Sequence, residues 1–370
     1  RATDIHIEPQ QNSVEVRIRI DGVLQMIMTP PKSSLSGLVT RIKILSKLNI
    51  AERRLSQDGR FGIKTSSKDI DVRVSILPTV HGEKVVMRLL DKSGFEFNLS
   101  SLGFDKDMYH IFRKVIAQPY GMVMVSGPTG SGKSTSLYAS LKEIKNVNTN
   151  ITTVEDPVEY QLDGINQVQV NDNIGLTFAS TLRSILRQDP DILLIGEIRD
   201  AETADIAVKF SLTGHLVFST VHANDAASTI TRLLDIGLKP FLVGSCVNLV
   251  MAQRLVRRIC ENCKEEYIPD KETLDLLGKD VEALKGKKFI HGKGCNHCRD
   301  TGYLGRIGIF ELIAMSRDLR QMVFENASED DIRAKAIEEG MVSLRDSGIR
   351  KVGDGITTVE EVLRSTVADS

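Results

Sequence analysis

Gly127-Pro128-Thr129-Gly130-Ser131-Gly132-Lys133-Ser134, followed by Thr135, has the spacing G-x-x-x-x-G-K-[ST]. That spacing suits the binding of ATP with Mg²⁺. Glycines let successive backbone N–H groups curl round phosphates, and a helix N-terminus behind them adds positive potential. Lys133 would reach the β- and γ-phosphates, and the Ser134 hydroxyl would ligate the metal. The apolar run Met122 to Val125 precedes the motif and a helix-compatible segment follows it. A glycine-rich turn with an accidental lysine would not require those flanks.

A triphosphate site needs acids to hold the metal and orient water. Asp191-Ile-Leu-Leu-Ile-Gly196-Glu197 puts Glu197 at the C-terminal end of an expected strand, where ligands of open α/β sheets bind. It is the first candidate for polarising the attacking water or for holding Mg²⁺ through water. Glu155, with Asp156 and Glu159 close behind, ends another such run and is a second candidate for the same edge. Acids in these places also cap helices or form surface ion pairs. Asp191, at the start of its run, is expected to be structural. His215 and His222 flank Leu216 to Val221. His222 falls at the mouth end, placed to sense a γ-phosphate, whereas His215 fits equally well as a satisfied polar residue near a core.

Five cysteines are present, four of them in Cys260-Glu-Asn-Cys263 and Cys295-Asn-His-Cys298. Two C-x-x-C pairs suit tetrahedral Zn²⁺, and four thiolates leave no open coordination position, so the metal would be structural. Redox chemistry or a disulfide is the competing reading. His297 could replace a cysteine. The segment between the pairs, Lys271 to Leu284, reads as helical, so the metal would staple an insert too small for its own core. Cys246 sits in an apolar stretch and reads as core. Arg254, Arg257 and Arg258 could grip an anion, but a basic helix end is the plainer reading.

These residues need elements to position them. The chain's 370 residues exceed what one compact core usually holds. Apolar residues at 41% and charged residues at 26% suit a globular fold, and a net charge of -1 gives no global basic character pointing to nucleic acid. Val14, Val16, Ile18 and Ile20 alternate with charged residues, and Asp21-Gly22 offers a hairpin turn into Val23 to Met28. A helix is expected over Ser34 to Leu48. A second hairpin pairs the alternating Ile70 to Ile76 with Lys84 to Leu90. If Leu77 pairs with Lys84, Arg73 stands directly opposite Arg88, a like-charge conflict that an anion would relieve.

From about Leu102 the pattern becomes apolar runs alternating with helices, the signature of a parallel sheet with crossover helices. The runs are Met122 to Val125, Ile151 to Val154, Ile192 to Ile195 and Leu216 to Ser219. Helices fit Ser134 to Ile144, Thr177 to Arg187, Ala201 to Leu212 and Ala226 to Leu234. Phe241 to Val256 is too polar to cross a bilayer and reads as a buried helix. The predicted division is 1–92 as a small α+β domain, 93–101 as a linker, and 102–370 as an α/β domain that carries the phosphate motif. The last includes a tetracysteine insert at 260–298 and a helical region at 311–370.

The chain resembles the secretion ATPase family that powers type II secretion and type IV pili. Arg1-Ala-Thr-Asp-Ile-His-Ile-Glu8-Pro resembles the opening of its second N-terminal domain. Glu155-Asp-Pro-Val-Glu159 resembles its aspartate box, Gly196-Glu-Ile-Arg-Asp200 its second nucleotide motif, and Thr213-Gly-His-Leu to His222 its histidine box. The resemblance implies that the first domain is PAS-like and the second a RecA-like ATPase domain, with a missing upstream docking domain and a cytoplasmic homo-hexamer at the cytoplasmic face of the inner membrane, working on a platform protein. It also implies that Arg73 and Arg88 reach a neighbour's nucleotide, with Arg60 a weaker candidate. The tetracysteine insert argues against retraction motors, and Arg187-Gln-Asp-Pro-Asp-Ile and Ser245-Cys-Val-Asn-Leu-Val lean towards pilus assembly over secretion. A RecA-like nucleic-acid helicase and a non-hydrolysing nucleotide switch are the rival readings.

Overall fold

In the computed structural model, which describes residues 2–66, 68–91 and 97–366, two compact units emerge, Arg1–Glu96 and Phe97–Ser370. Among the described residues the first holds a six-stranded antiparallel sheet. Its strands are β1 (Ala2–Pro9), β2 (Val14–Ile20), β3 (Val23–Met28), β4 (Gln57–Lys64), β5 (Asp69–Thr79) and β6 (Gly82–Asp91), in the order β3-β2-β1-β6-β5-β4. One helix, α1 (Leu35–Leu45), buries Leu35, Val39 and Ile42 against Ile7, Val14, Val72, Val74, Ile76 and Val85. Period-two alternation therefore leaves the other sheet face to charged residues. Leu77 does pair with Lys84, and Arg73 stands opposite both Arg88 and Arg60.

The second unit starts at Phe97, whose ring packs edge-on against Tyr138 at 5.3 Å. Leu99 is buried beside it, so the segment just before Leu102 belongs to this core; residues 93–96 of the expected linker lie outside the described residues. The elements run α2 (Lys106–Ile116), β7 (Gly121–Ser126), α3 (Lys133–Ile144), β8 (Ile151–Glu155), β9 (Asn166–Gln169), α4 (Phe178–Ile185), β10 (Ile192–Ile195), α5 (Ala201–Leu212), β11 (Leu216–Val221) and α6 (Ala226–Asp235). After these come α7 (Pro240–Cys246), β12 (Val247–Ile259), β13 (Lys264–Tyr267), α8 (Lys271–Leu277), β14 (Phe289–Gly292) and β15 (Tyr303–Ala314). The last helices are α9 (Arg317–Phe324), α10 (Glu329–Glu338), α11 (Leu344–Gly353) and α12 (Val359–Ser365).

The main sheet has the order β15-β12-β7-β11-β10-β8-β9 among the described residues. Every neighbouring pair is parallel except β12 with β15. The sheet is thus mixed rather than purely parallel. Its central strands β7, β10 and β11 are buried on both faces, which is why they read as unbroken apolar runs.

Two expectations are corrected. Phe241 to Val256 is not one buried helix: α7 ends at Cys246 and β12 follows, a strand sandwiched between β7 and β15. A strand buried on both faces has the same apolar run as a buried helix, and periodicity does not separate them. The region 311–370 is not helical throughout, because β15 continues to Ala314. The cysteine insert shares a core with the last helices, its Leu277 and Leu284 packing with Ile349, Val352, Val359 and Val362 of α11 and α12.

Glu361 of α12 ties these helices to the sheet. Burial works against its charge, but hydrogen bonds from Arg257 at 2.6 Å and Arg364 at 2.9 Å hold its pKa down at about 2, from 4.5 when free. A depressed carboxyl pKa contributes stability that is fully present above the unfolded value and is lost as pH falls through the folded one. Acid should therefore destabilise the protein between about pH 4.5 and pH 2, by at most about 3 kcal/mol from this group. Melting curves of the parent and Glu361→Gln across that window test this; equal pH slopes would refute it. No helix among the described residues is long and apolar enough to cross a membrane.

Candidate nucleotide site and cysteine centre

β7 feeds directly into the turn Gly127 to Gly132, and Lys133, Ser134 and Thr135 form the first turn of α3. Gly127, Gly130 and Gly132 all have positive φ, at 145°, 80° and 93°. A Cβ on Gly127 would lie 2.5 Å from the Gln253 carbonyl oxygen, and one on Gly132 would lie 2.8 Å from Gln253 Nε2. Both positions therefore demand glycine for space as well as conformation. Pro128, Thr129 and Gly130 are exposed. No side chain caps the N-terminus of α3, leaving its first N–H groups for a ligand. Ser131 Oγ is buried without a hydrogen-bond partner, an orphan donor inside the cradle. Lys133 Nζ donates to the carbonyls of Gly127 at 2.7 Å and Pro128 at 3.1 Å, which holds the ammonium at the phosphate turn. Burial pulls its pKa down; Glu197 opposes that shift and Arg254 adds to it.

β11 lies between β7 and β10 and brings three chain segments to one mouth. Glu197 follows β10, its side chain only 15% exposed and bonded to Arg199. His222, just past β11, has Nε2 3.7 Å from the second Glu197 oxygen. Gly196 lets this loop close on its neighbour, since a Cβ there would sit 3.3 Å from the Glu155 Cα and the Val154 carbonyl. Thr220 completes the junction by donating to the Gly196 carbonyl at 2.7 Å.

Two expected residues are placed differently. His215 stands at the opposite end of β11, its Nδ1 3.1 Å from the Phe210 carbonyl and its ring on Phe210, so it is the satisfied polar residue and not part of the mouth. Glu155 ends β8 but is buried in a network: the Tyr138 hydroxyl donates to it, Thr153 Oγ1 donates at 2.6 Å and Gln167 Nε2 at 3.2 Å. Burial raises its pKa against those bonds.

Gln253, Tyr138 and Glu311 lie outside every motif in the sequence. Gln253 Oε1 accepts from Ser136 of α3 at 2.8 Å, and Glu311 accepts from the backbone N–H groups of Ala226 at 2.7 Å and Leu344 at 3.2 Å. The available signal was a polar residue interrupting an apolar strand, which reports a buried polar contact. In the first unit, Arg88 Nε donates to Asp4 at 3.1 Å, so a carboxylate relieves part of the crowding among Arg60, Arg73 and Arg88.

The four sulfurs of Cys260, Cys263, Cys295 and Cys298 lie within 4.8 Å of one another, with separations such as 3.9, 3.8 and 3.7 Å. Tetrahedral Zn–S bonds of about 2.3 Å set sulfur separations of about 3.8 Å. The backbone N–H groups of Cys295 and Gly302 donate to Cys298 Sγ at 3.2 and 3.3 Å, the usual support of a metal-bound thiolate. The cluster can hold zinc; His297 is exposed and outside it.

A glycine turn between a parallel strand and a helix, facing an acid across one intervening strand, defines a P-loop nucleotide-binding fold. Residues 1–364 match the Type II/IV secretion system protein family, and the chain belongs to that family. It is 50% identical over 372 residues to the type IV pilus assembly ATPase PilB of Myxococcus xanthus, covering 100% of this chain and 66% of that protein. Identity is 49% to PilB of Thermus thermophilus, over 99% of this chain and 41% of that one. The type II secretion system ATPase E of Vibrio cholerae is 48% identical over 99% of this chain and 72% of its own length. The chain thus spans about two thirds of the first relative and less than half of the second. Among solved structures, the ATPase DotB of Legionella pneumophila superposes with a TM-score of 0.70 at 20% identity, covering 98% of this chain and 90% of that one. The pilus retraction motor PilT with bound ADP gives 0.64 at 22%, covering 99% and 94%. Those two likenesses establish the fold.

Proposed function

We propose that the chain is the catalytic part of an ATP-hydrolysing motor for type IV pilus assembly. The observation that carries this reading is the P-loop itself, with its orphan Ser131 hydroxyl, uncapped α3 and Lys133 under the influence of Glu197 across β11. The turn from Gly127 to Gly132 would cradle phosphates, Lys133 would bind them, and Ser134 would ligate Mg²⁺. Glu197 would orient water or hold the metal through water, and His222 would report the γ-phosphate to Glu197. Glu155 is a positioning residue in this reading, fixing α3 through Tyr138. The four cysteines would hold a structural Zn²⁺.

In the motor, the second unit is RecA-like and the first a PAS-like domain whose antiparallel order supports that assignment. The active form is a hexamer at the cytoplasmic face of the inner membrane, acting on a platform protein, with Arg73 and Arg88 reaching a neighbour's phosphates. Near-equal identity to pilus and secretion relatives keeps a type II secretion motor as the second reading.

Lys133→Ala should lower turnover at least about a hundredfold by removing a charged phosphate donor. The same assay reads Arg73→Ala and Arg88→Ala, which should lose turnover while folded. Unchanged hydrolysis in Lys133→Ala would end the proposal. In cells carrying that variant, lost pili with intact protein secretion is the expected pattern; the reverse pattern would select the secretion reading.

A further inference from the structure

Arg254 lies on β12, the strand that flanks β7 on the side away from β11. Ala252 pairs with Ser126, so the next two residues of β12 run beside the start of the P-loop. Alternation sends their side chains to opposite faces. Gln253 goes beneath α3, as described, and Arg254 goes to the other side. There Arg254 Nη2 donates to the Asn224 carbonyl at 2.6 Å and Nη1 donates to the Gln253 carbonyl at 3.1 Å. A Cβ on Gly127 would lie 3.2 Å from Nη1, so the guanidinium is packed against the first residue of the phosphate turn.

The guanidinium is half-buried, and among the described residues no carboxylate lies within ion-pair distance of it. Asp225 and Glu311 attract it only from farther away, and Asp225 is already bonded to Arg333 at 2.9 Å. Lys133, whose Nζ donates to the carbonyl of the same Gly127, is close enough for the two positive charges to repel. The acids that attract these two cations, Glu197 for Lys133 and Asp225 and Glu311 for Arg254, form no ion pair with either among the described residues, so the site is short of negative charge. A guanidinium left partly desolvated without a counter-ion is costly unless an anion completes it. A polyphosphate seated on the P-loop brings that anion.

We infer that Arg254 binds the nucleotide's phosphates directly, as a second cation supplied by the same chain as the P-loop. Its bond to Asn224 further ties phosphate occupancy to the loop that starts at His222. The inference rests on the nucleotide site proposed above, and its test separates the two.

Tripolyphosphate, which lacks base and ribose, serves as the competitive inhibitor of ATP hydrolysis in the full chain. Where a variant's turnover is too low to follow, calorimetric binding of tripolyphosphate replaces inhibition. Arg254→Gln should weaken tripolyphosphate at least about tenfold, and Arg254→Lys, which keeps the charge, should stay within about threefold of the parent. Lysine cannot reproduce the two fixed carbonyl bonds, so a mere backbone clamp would make both variants fall together. That result, or Arg254→Gln within twofold of the parent, overturns the inference. Nucleotide-free melting curves identify any variant that fails to fold, and for such a variant Arg254→Lys alone decides. Lys133→Ala is the control: if it too leaves tripolyphosphate binding unchanged, the nucleotide site itself is wrong.

Discussion

Glu197→Gln is expected to leave ATP bound and unhydrolysed, with kcat lower by about 10²- to 10⁴-fold, the range for losing a positioned general base. The amide keeps the size and one acceptor of the carboxylate, so the contacts that shape the mouth persist. What it loses is the negative charge that faces Lys133, His222 and Arg199. In the proposed mechanism water would then be neither deprotonated nor held for attack. Removing an acid from a cationic site also tightens the hold on a polyphosphate. The measurement is paired: filter binding of labelled ATP and phosphate release on the same preparation. Parent-like release with normal binding would remove Glu197 from the chemistry and return attention to Glu155.

The second large effect concerns the cysteines. Purified chain is expected to carry one zinc per molecule, and Cys260→Ser or Cys298→Ser should lose it. Structural zinc contributes on the order of 10 kcal/mol in small fingers that have no other core. Here Leu277 and Leu284 already bury against α11 and α12, so loss of zinc should melt the insert and loosen those helices without unfolding the P-loop sheet. Calorimetry should then show a new low-temperature transition beside the main one. Full occupancy of zinc in both serine variants would overturn the assignment.

Local chemistry explains which parts were legible in the sequence. Asp21-Gly22 and the alternation around it specify a hairpin without reference to distant residues, and the register that opposes Arg73 and Arg88 followed from one assumed pair. The P-loop was equally visible, because its glycines and lysine sit together in the chain. β12 was not, since a strand covered on both faces carries no period. The surroundings of Glu155 are illegible for a related reason: an acid at the end of a strand looks the same whether it meets solvent or the hydroxyls of Tyr138 and Thr153. His215 and His222 differed only in which end of β11 they occupied. Gln253 and Arg254 are polar breaks in an apolar run, and their meaning depends on α3 and Asn224, far off in sequence.

The placement of β12 also bears on how the protein is made. This strand must lie between β7, already synthesised, and β15, still to come, while Glu361 of α12 holds Arg257 in place. A ribosome that has delivered the P-loop, Glu197 and His222 has therefore not yet delivered the pieces that brace them. Until residues near 361 emerge, one side of β12 and the shelf for the cysteine insert are uncovered. Nascent chains arrested after Ile259 should be sought by chaperones, and truncations that spare every nucleotide-site residue should still be degraded.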